Sequence, residues 1–125
     1  MTEMIDPVYG MDSSSVHDTD SALYLVGGDA ALAAELMQAL LDGLPDEIAA
    51  LRAALAESDW PGLAEYAHQV RGATRYCGVP ALDAAIEALE RAARLGDGLR
   101  CEDCFLRVEL QARRLQEAMT ARDAE

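Results

Sequence analysis

The chain has 125 residues, which is enough for a single domain that buries one continuous core without support from disulfides or metals. Its 23 Asp and Glu residues outnumber ten Lys and Arg, and the formal net charge of -13 argues against nucleic acid and anionic membranes as partners. Aromatic residues make up only 5% of the chain, whereas Ala and Leu are abundant, so we expect an all-α fold.

The compartment can also be inferred from the sequence. The first residues, MTEMIDPVYG, lack the basic start and apolar core of a secretion signal, and no run of about 18 apolar residues predicts a membrane span. Cys77, Cys101 and Cys104 are too few, and odd in number, for a secreted disulfide scaffold. We therefore expect a soluble protein in the reducing cytoplasm.

The N-terminal region differs in composition from the rest. Residues 1–20 are polar and acidic and contain no Lys or Arg, which is typical of a flexible tail or linker. The apolar residues 22–26 follow and end at Gly27 and Gly28, so they predict a short lid helix. The folded domain is then expected to span residues 21–122.

The next segment contains an apolar stripe, for which Asp29 is a suitable N-cap. Four leucines recur at four-residue steps: Leu32, Leu36, Leu40 and Leu44. Gly43 and Pro45 predict a break or a bend. A second stripe resumes at Asp46 and ends near Ser58, so this segment forms either two helices or one kinked helix.

Three further segments have helical periodicity. Asp59 can cap the first, which should stop at Gly78; its apolar positions are Leu63, Ala67, Val70, Thr74 and Cys77. Pro80 opens the second, which ends at LGDG, residues 95–98. The last is predicted over residues 102–122. Because short connections join amphipathic helices, we expect an up-down-up-down antiparallel four-helix bundle with the short N-terminal helix as a lid.

His68 lies on the opposite side of its helix from the apolar stripe. At 100° per residue it is about 140° from Leu63 and about 160° from Val70, so it should face solvent. Its neighbours on that face are Ala64, Glu65, Arg71, Gly72 and Arg75.

Gly72 costs about 1 kcal/mol relative to alanine in a helix interior. We interpret it as a device that lets a second macromolecule approach His68, while Arg71 is suited to bind phosphate oxygens. The alternatives are a solvated surface histidine, arginines that only pair with Glu65 or other acids, and Gly72 as an early C-cap. The sequence shows no acidic cluster of its own on the His68 face.

The stretch HQVRGATRYCGVPAL resembles the signature of histidine-containing phosphotransfer (HPt) domains. The positions of that signature are filled by His68, Val70, Arg71, Gly72, Gly78 and Leu82. The resemblance covers about residues 20–120. Within the family, this stretch looks most similar to the HPt domains at the C-terminal end of hybrid sensor kinases of the BarA and GacS type. Arg71 stands where Lys is commoner, and Ala73 and Thr74 stand where small hydroxyl residues are frequent.

The resemblance implies a role in a two-component phosphorelay. His68 would accept a phosphoryl group from a receiver-domain aspartyl phosphate and pass it to a response-regulator aspartate. Arg71 would stabilise the phosphoryl group, and the receiver-docking surface would include Ala64, Glu65, Gly72 and Arg75. The chain would act as a monomer without kinase activity or ATP binding, with no intrinsic cofactor or metal, and the partner receiver would supply Mg2+. One such receiver would belong to a hybrid sensor kinase.

Three other functions remain as alternatives. A histidine-kinase dimerisation domain typically has an acid directly after the His and a Pro five positions after the His. This chain has Gln69 and Ala73 at those two positions. The CxxC of Cys101 and Cys104 suggests metal or redox chemistry, but no second Cys or His pair accompanies it. An acidic bundle that only binds a partner would not need His68. His17, in the polar tail, is interpreted as a solvated residue.

Overall fold

The computed structural model describes residues 15–124, and this part of the chain forms five helices and no strand. The helices are α1 (Thr19–Leu25), α2 (Ala30–Ala56), α3 (Trp60–Thr74), α4 (Pro80–Arg94) and α5 (Gly98–Ala124). The predicted all-α class is therefore confirmed. Most of the predicted tail, residues 1–20, lies outside the described residues. None of the described helices is long and apolar enough to span a bilayer.

Helices α2 to α5 form the expected bundle. Each packs against the next in the chain, and α5 returns to α2, which closes the ring. Fully buried side chains from all four helices fill the centre, including Leu44, Leu51, Leu63, Leu82, Ile86, Leu89, Val108 and Leu115. Burial of these leucine and isoleucine side chains stabilises the fold by about 1.5–3 kcal/mol each.

Pro45 lies inside α2, so this segment is one helix of 27 residues. Leu44 and Leu51 on either side of Pro45 are fully buried, and this packing holds the helix together where a backbone hydrogen bond is lost. Leu32 is 39% exposed, contrary to its expected place in the core stripe. A four-residue step advances about 40° around a helix, so a stripe that is buried at Leu44 has rotated outward by Leu32.

Aspartates cap the helix starts. Asp29 Oδ1 accepts from Leu32 N and Asp59 Oδ1 accepts from Gly62 N, both at 3.0 Å, which confirms both predicted caps. Asp97 Oδ1 accepts from Arg100 N at 3.1 Å. Because Asp97 satisfies this N–H group, α5 begins at Gly98, four residues before the predicted start.

The lid helix α1 is fastened to the turn between α3 and α4. α3 ends at Thr74, and the chain turns at Gly78, which has a φ of 65°. Asp18 N donates to Gly78 O at 2.8 Å, and a Cβ at Gly78 would lie 2.6 Å from Asp18 O. Only glycine fits this close approach, so Gly78 fixes where α1 lies on the bundle.

Candidate functional site

His68 projects from the middle of α3 with 57% of its side chain exposed, as predicted. Its Nδ1 lies 3.2 Å from Oε2 of Glu90, which comes from α4. The antiparallel packing of α3 and α4 brings these two residues together across 22 positions of sequence. One edge of the imidazole is thus engaged by the protein, and the rest faces solvent.

Glu90 is more enclosed than His68, with only 13% of its side chain exposed. Its Oε2 also accepts from Arg94 Nε at 3.1 Å and from Arg94 Nη2 at 2.7 Å. Burial raises the pKa of Glu90, but the hydrogen bonds and charges of Arg94 and His68 outweigh it, so the pKa lies below its ordinary value. Glu90 is therefore a carboxylate at neutral pH.

The ionised state of Glu90 assigns the tautomer of His68. A carboxylate can only accept a hydrogen bond, so the contact requires a proton on His68 Nδ1. A neutral imidazole that carries its proton on Nδ1 has its lone pair on Nε2. The arrangement therefore presents Nε2 as the nucleophilic nitrogen.

Arg71 lies one turn along α3 but is held by α4. Its Nε and Nη2 donate to the two carboxylate oxygens of Asp83, each at 3.2 Å, and only 17% of its side chain is exposed. The hydrogen bonds to Asp83 raise the pKa of Arg71. Arg71 Nη1 lies 3.8 Å from Glu87 Oε2, and the buried Thr74 hydroxyl donates to Asp83 at 2.8 Å. Arg71 therefore pairs with acids of α4 rather than with Glu65.

The acids of α4 are functional-site residues that the sequence pattern around His68 did not predict. Asp83, Glu87 and Glu90 follow one another at steps of four and three, which places them on one edge of α4, beside His68 and Arg71. Acids of α4 therefore border His68 and Arg71, although no group of three or more His, Cys, Asp or Glu within the described residues could hold a metal ion. The spacing was visible in the sequence, but which helix faces His68 depends on the turn of residues 75–79.

The predicted docking residues do not all lie on the surface. Gly72, Glu65 and Arg75 are exposed, and a Cβ at Gly72 would meet no atom within 4 Å. Since α3 continues to Thr74, Gly72 is not an early C-cap. Ala64 is only 2% exposed, so its place on an exposed docking face is wrong. The reason is that α3 packs against both α2 and α4, which buries a wider arc than the apolar stripe predicts.

The remaining candidate residues lie away from His68. Cys77, Cys101 and Cys104 are free and buried, and burial raises the pKa of each thiol, so the CxxC presents no exposed, reactive pair. His17 is not simply solvated, because Arg122 Nη1 lies 3.0 Å from His17 Nδ1. This contact ties the segment before α1 to the end of α5.

Comparisons with known proteins assign the chain to a family. Residues 35–124, most of the chain, match the family model described as "Hpt domain". Over 75 residues, 60% of this chain, the sequence is 45% identical to a sensor histidine kinase GacS of Pseudomonas protegens and 43% identical to a sensor protein GacS of Pseudomonas syringae pv. syringae. The match spans 8% of the length of each of these two relatives.

A solved structure has the same fold. The crystal structure of the HPT domain from a hybrid sensor histidine kinase of Shewanella superposes with a TM-score of 0.69, over 85% of this chain and 95% of that one. The two sequences are 22% identical, so this likeness concerns the fold.

Proposed function

Because the chain belongs to the Hpt domain family, whose members are phosphotransfer modules of two-component phosphorelays and not kinases, we propose that His68 is its phosphoacceptor. His68 takes a phosphoryl group from the aspartyl phosphate of one receiver domain and passes it to the aspartate of another. The similarity to GacS sensor kinases supports a hybrid sensor kinase as the source of one of these receivers. The module acts as a monomer.

The observation that carries this proposal is the exposed imidazole whose Nδ1 is bound to Glu90. In the first transfer, the lone pair of His68 Nε2 forms an N–P bond while the P–O bond of the aspartyl phosphate breaks, and the aspartate leaves with the electron pair. In the second transfer, a carboxylate oxygen of the next receiver attacks phosphorus, and His68 leaves as a neutral imidazole. The Nδ1 proton stays in place throughout.

Glu90 has an electrostatic role in both steps. When Nε2 bonds to phosphorus, positive charge spreads over the ring, and the carboxylate beside Nδ1 stabilises that charge. Arg94 keeps Glu90 in place through two hydrogen bonds to Oε2. Glu90 therefore acts as a positioning residue for His68, since it does not touch the phosphoryl group.

Arg71 is the cationic residue of this chain that can neutralise charge on the phosphoryl oxygens, and a Mg2+ ion brought by the receiver would neutralise the remainder. Asp83 fixes the Arg71 guanidinium through Nε and Nη2, whereas Nη1 lies 3.8 Å from Glu87, beyond hydrogen-bond distance. Arg71 Nη1 is thus the nitrogen of this guanidinium that is left to donate to a phosphoryl oxygen. Glu90, the carboxylate in contact with His68, is already bound to Arg94. The Mg2+ that phosphoryl transfer uses would come with the receiver.

The proposal is tested by phosphotransfer from a receiver domain. A receiver charged with acetyl phosphate and Mg2+ is mixed with wild-type protein or with His68→Gln, and the products are weighed by intact mass spectrometry. We expect one acid-labile, base-stable phosphoryl group on the wild type and none on the variant. Labelling of His68→Gln would show that another residue is the acceptor, and no labelling with any of the receivers tested would favour an acidic module that only binds partners.

A further inference from the structure

The outward face of α5 carries a stripe of leucines that the rest of the described chain leaves exposed. Leu99, Leu106 and Leu110 have 82%, 63% and 43% of their surface exposed. They follow one another at steps of seven and four residues, so they lie within about 40° of one another around the helix. The buried residues Val108 and Leu115 lie on the opposite side of α5, toward the core. A row of exposed leucines on one helix face suits contact with the apolar face of another helix.

A groove beside the stripe widens this apolar surface. It lies between the end of α2 and the start of α5 and has a volume of about 800 Å³. Its lining includes Leu55 of α2, Trp60 at the start of α3, and Phe105 and Leu106 of α5. The apolar surface therefore extends from the stripe across to α2.

Charged residues flank the leucines in a symmetric order. Two acids lie four and three residues before Leu106, and two arginines lie three and four residues after Leu110; they are Glu102, Asp103, Arg113 and Arg114. All four lie within about 60° of the line of leucines, with one acid and one arginine on each side. Glu102 and Arg113 share the side toward α2. The first half of this face is therefore acidic and the second half is basic.

These charges can still pair with another molecule. Asp103 Oδ2 lies 3.7 Å from Arg107 Nε, but the Asp103 side chain is 69% exposed. Among the residues that the structure describes, Glu102, Arg113 and Arg114 have no ion-pair partner. The apolar stripe and the charges beside it thus form one surface with unused contacts of both kinds.

The pattern is self-complementary for two copies of α5 that pack antiparallel. A twofold axis halfway between Leu106 and Leu110 brings Leu106 of one copy level with Leu110 of the other. On the side toward α2, Glu102 then lies within about 1.5 Å of the level of the other copy's Arg113. The acid and arginine on the other side of the stripe match in the same way. A parallel pair would instead place acid against acid, so the charges favour the antiparallel arrangement.

We propose that this face of α5 forms a twofold-symmetric homodimer, in which the two α5 helices pack antiparallel through Leu106 and Leu110. Glu102 of each copy pairs with Arg113 of the other, which fixes the orientation of the two helices. The centre of the contact involves one helix from each copy and is smaller than the interface of a permanent dimer, so we expect weak association.

The dimer leaves the phosphotransfer site free. α3 and α5 are diagonal in the bundle, since each packs mainly against α2 and α4. His68 of α3 therefore points away from the interface. Phosphotransfer itself needs one copy, because His68, Glu90 and Arg94 belong to the same chain. Each copy thus acts on a receiver as a monomer does, and one dimer offers two acceptors.

Sedimentation equilibrium of the whole chain tests the dimer. At about 0.15 M salt the Debye length is about 8 Å, so the net charge of -13 on each copy is screened, whereas charges in contact still interact. We expect the mean mass to rise from 13.4 kDa toward twice this value between micromolar and millimolar concentration. Combined Leu106→Gln and Leu110→Gln should keep it at the monomer mass. A wild-type mass that stays at 13.4 kDa throughout would overturn the proposal.

Charge reversals test the orientation. In a symmetric pair, Glu102→Arg places arginine against arginine and Arg113→Glu places acid against acid, so each variant should self-associate more weakly by about tenfold or more. When the two variants are mixed, both contacts join opposite charges, so a heterodimer should form about as readily as the wild-type dimer. Reversals that leave self-association unchanged, or variants that do not pair when mixed, would overturn the antiparallel dimer.

Controls separate the interface from general charge effects. Glu35→Arg and Arg91→Glu make the same changes of net charge at exposed positions of α2 and α4, and each should change self-association by less than about twofold. Circular dichroism shows whether each variant is folded.

Phosphotransfer gives an independent readout. Phosphoramidate, a small donor that needs no protein partner, and a charged receiver should label the wild type and the two-leucine variant alike. If receivers never label wild-type His68 but the dimer forms, only the proposed function fails. If receivers label His68 but the wild type remains a monomer at every concentration, only the dimer fails.

Discussion

His68 Nδ1 lies 3.2 Å from Glu90 Oε2, and Arg94 holds the same carboxylate oxygen at 2.7 Å. His68, the proposed phosphoacceptor, is thus oriented by Glu90 of the neighbouring helix, and Glu90 is itself fixed by Arg94, one turn further along α4. This chain of contacts leaves Nε2 as the exposed lone pair without using any group that would touch the phosphoryl oxygens. Substitutions of Glu90 can therefore test the orientation of His68 and the negative charge beside it separately.

Replacing Glu90 separates the hydrogen bond from the charge. Glu90→Gln keeps an acceptor for Nδ1–H but lacks the negative charge, and Glu90→Leu removes both. A hydrogen bond to a charged group is worth about 1.5–3 kcal/mol, so we expect Glu90→Leu to slow phosphotransfer through His68 by roughly ten- to hundredfold, with Glu90→Gln in between. Rapid-quench transfer from a charged receiver measures the rates. Arg94→Gln, which leaves Glu90 in place, should cost less than Glu90→Leu. A Glu90→Leu rate equal to wild type would contradict the orienting role.

Asp83 should matter more for stability than its place near the surface suggests. It accepts from both Arg71 and Thr74, and Thr74 is only 1% exposed. Asp83→Ala leaves the buried Thr74 hydroxyl without its acceptor and removes both hydrogen bonds of the largely covered Arg71 guanidinium, so we expect a loss of about 1–3 kcal/mol in the free energy of unfolding. Urea denaturation measures it. The control is Arg91→Ala, whose side chain is 76% exposed and whose pairing with Glu87 should be worth less than about 1 kcal/mol. Similar losses in both variants would argue against the network around Asp83.

At Gly72 stability and function are expected to change in opposite directions. Gly72→Ala adds a methyl group that meets nothing, so it should raise the free energy of unfolding by up to about 1 kcal/mol. Gly72→Phe should block the approach of the receiver and strongly slow transfer to His68. Thermal melting follows the first effect, and receiver-dependent labelling follows the second. Phosphoramidate labelling of the Phe variant checks that His68 itself still reacts, and unchanged transfer by that variant would exclude Gly72 from the docking surface.

The parts of the site that local sequence specifies were predictable, and those that depend on helix packing were not. The exposure of His68 follows from its angle to the apolar stripe, and the caps of Asp29 and Asp59 follow from local hydrogen bonding. By contrast, Glu90 contacts His68 only because α3 and α4 pack in one particular register. The helical periodicity does not reveal that register, because the register depends on the turn at Gly78. The burial of Ala64 has a similar origin, since it requires both neighbouring helices.

Gly78 and Gly27 offer a matched pair that isolates the contact with α1. Both have a positive φ, 65° and 67°. A Cβ at Gly27 meets nothing, whereas one at Gly78 would lie 2.6 Å from Asp18 O. Gly27→Ala should therefore cost only the backbone strain of about 1 kcal/mol, and Gly78→Ala should cost about 1–3 kcal/mol more. Equilibrium unfolding gives both values. Equal losses would mean that α1 shifts away from Gly78 at no cost.

The contact between His17 and Arg122 predicts a dependence of stability on pH. Burial, and then the charge of Arg122, lower the pKa of His17 below 6.5, while Asp18 acts weakly in the opposite sense. Near that pH the unfolded chain binds more protons at His17 than the folded chain does, so the free energy of unfolding falls as the pH is lowered from about 7.5 to 5.5. His17→Gln removes this titration, so its unfolding midpoint in urea should fall less than that of wild type over the same range. Measurements at constant ionic strength compare the two slopes directly. Identical slopes would show that folding does not lower the pKa of His17.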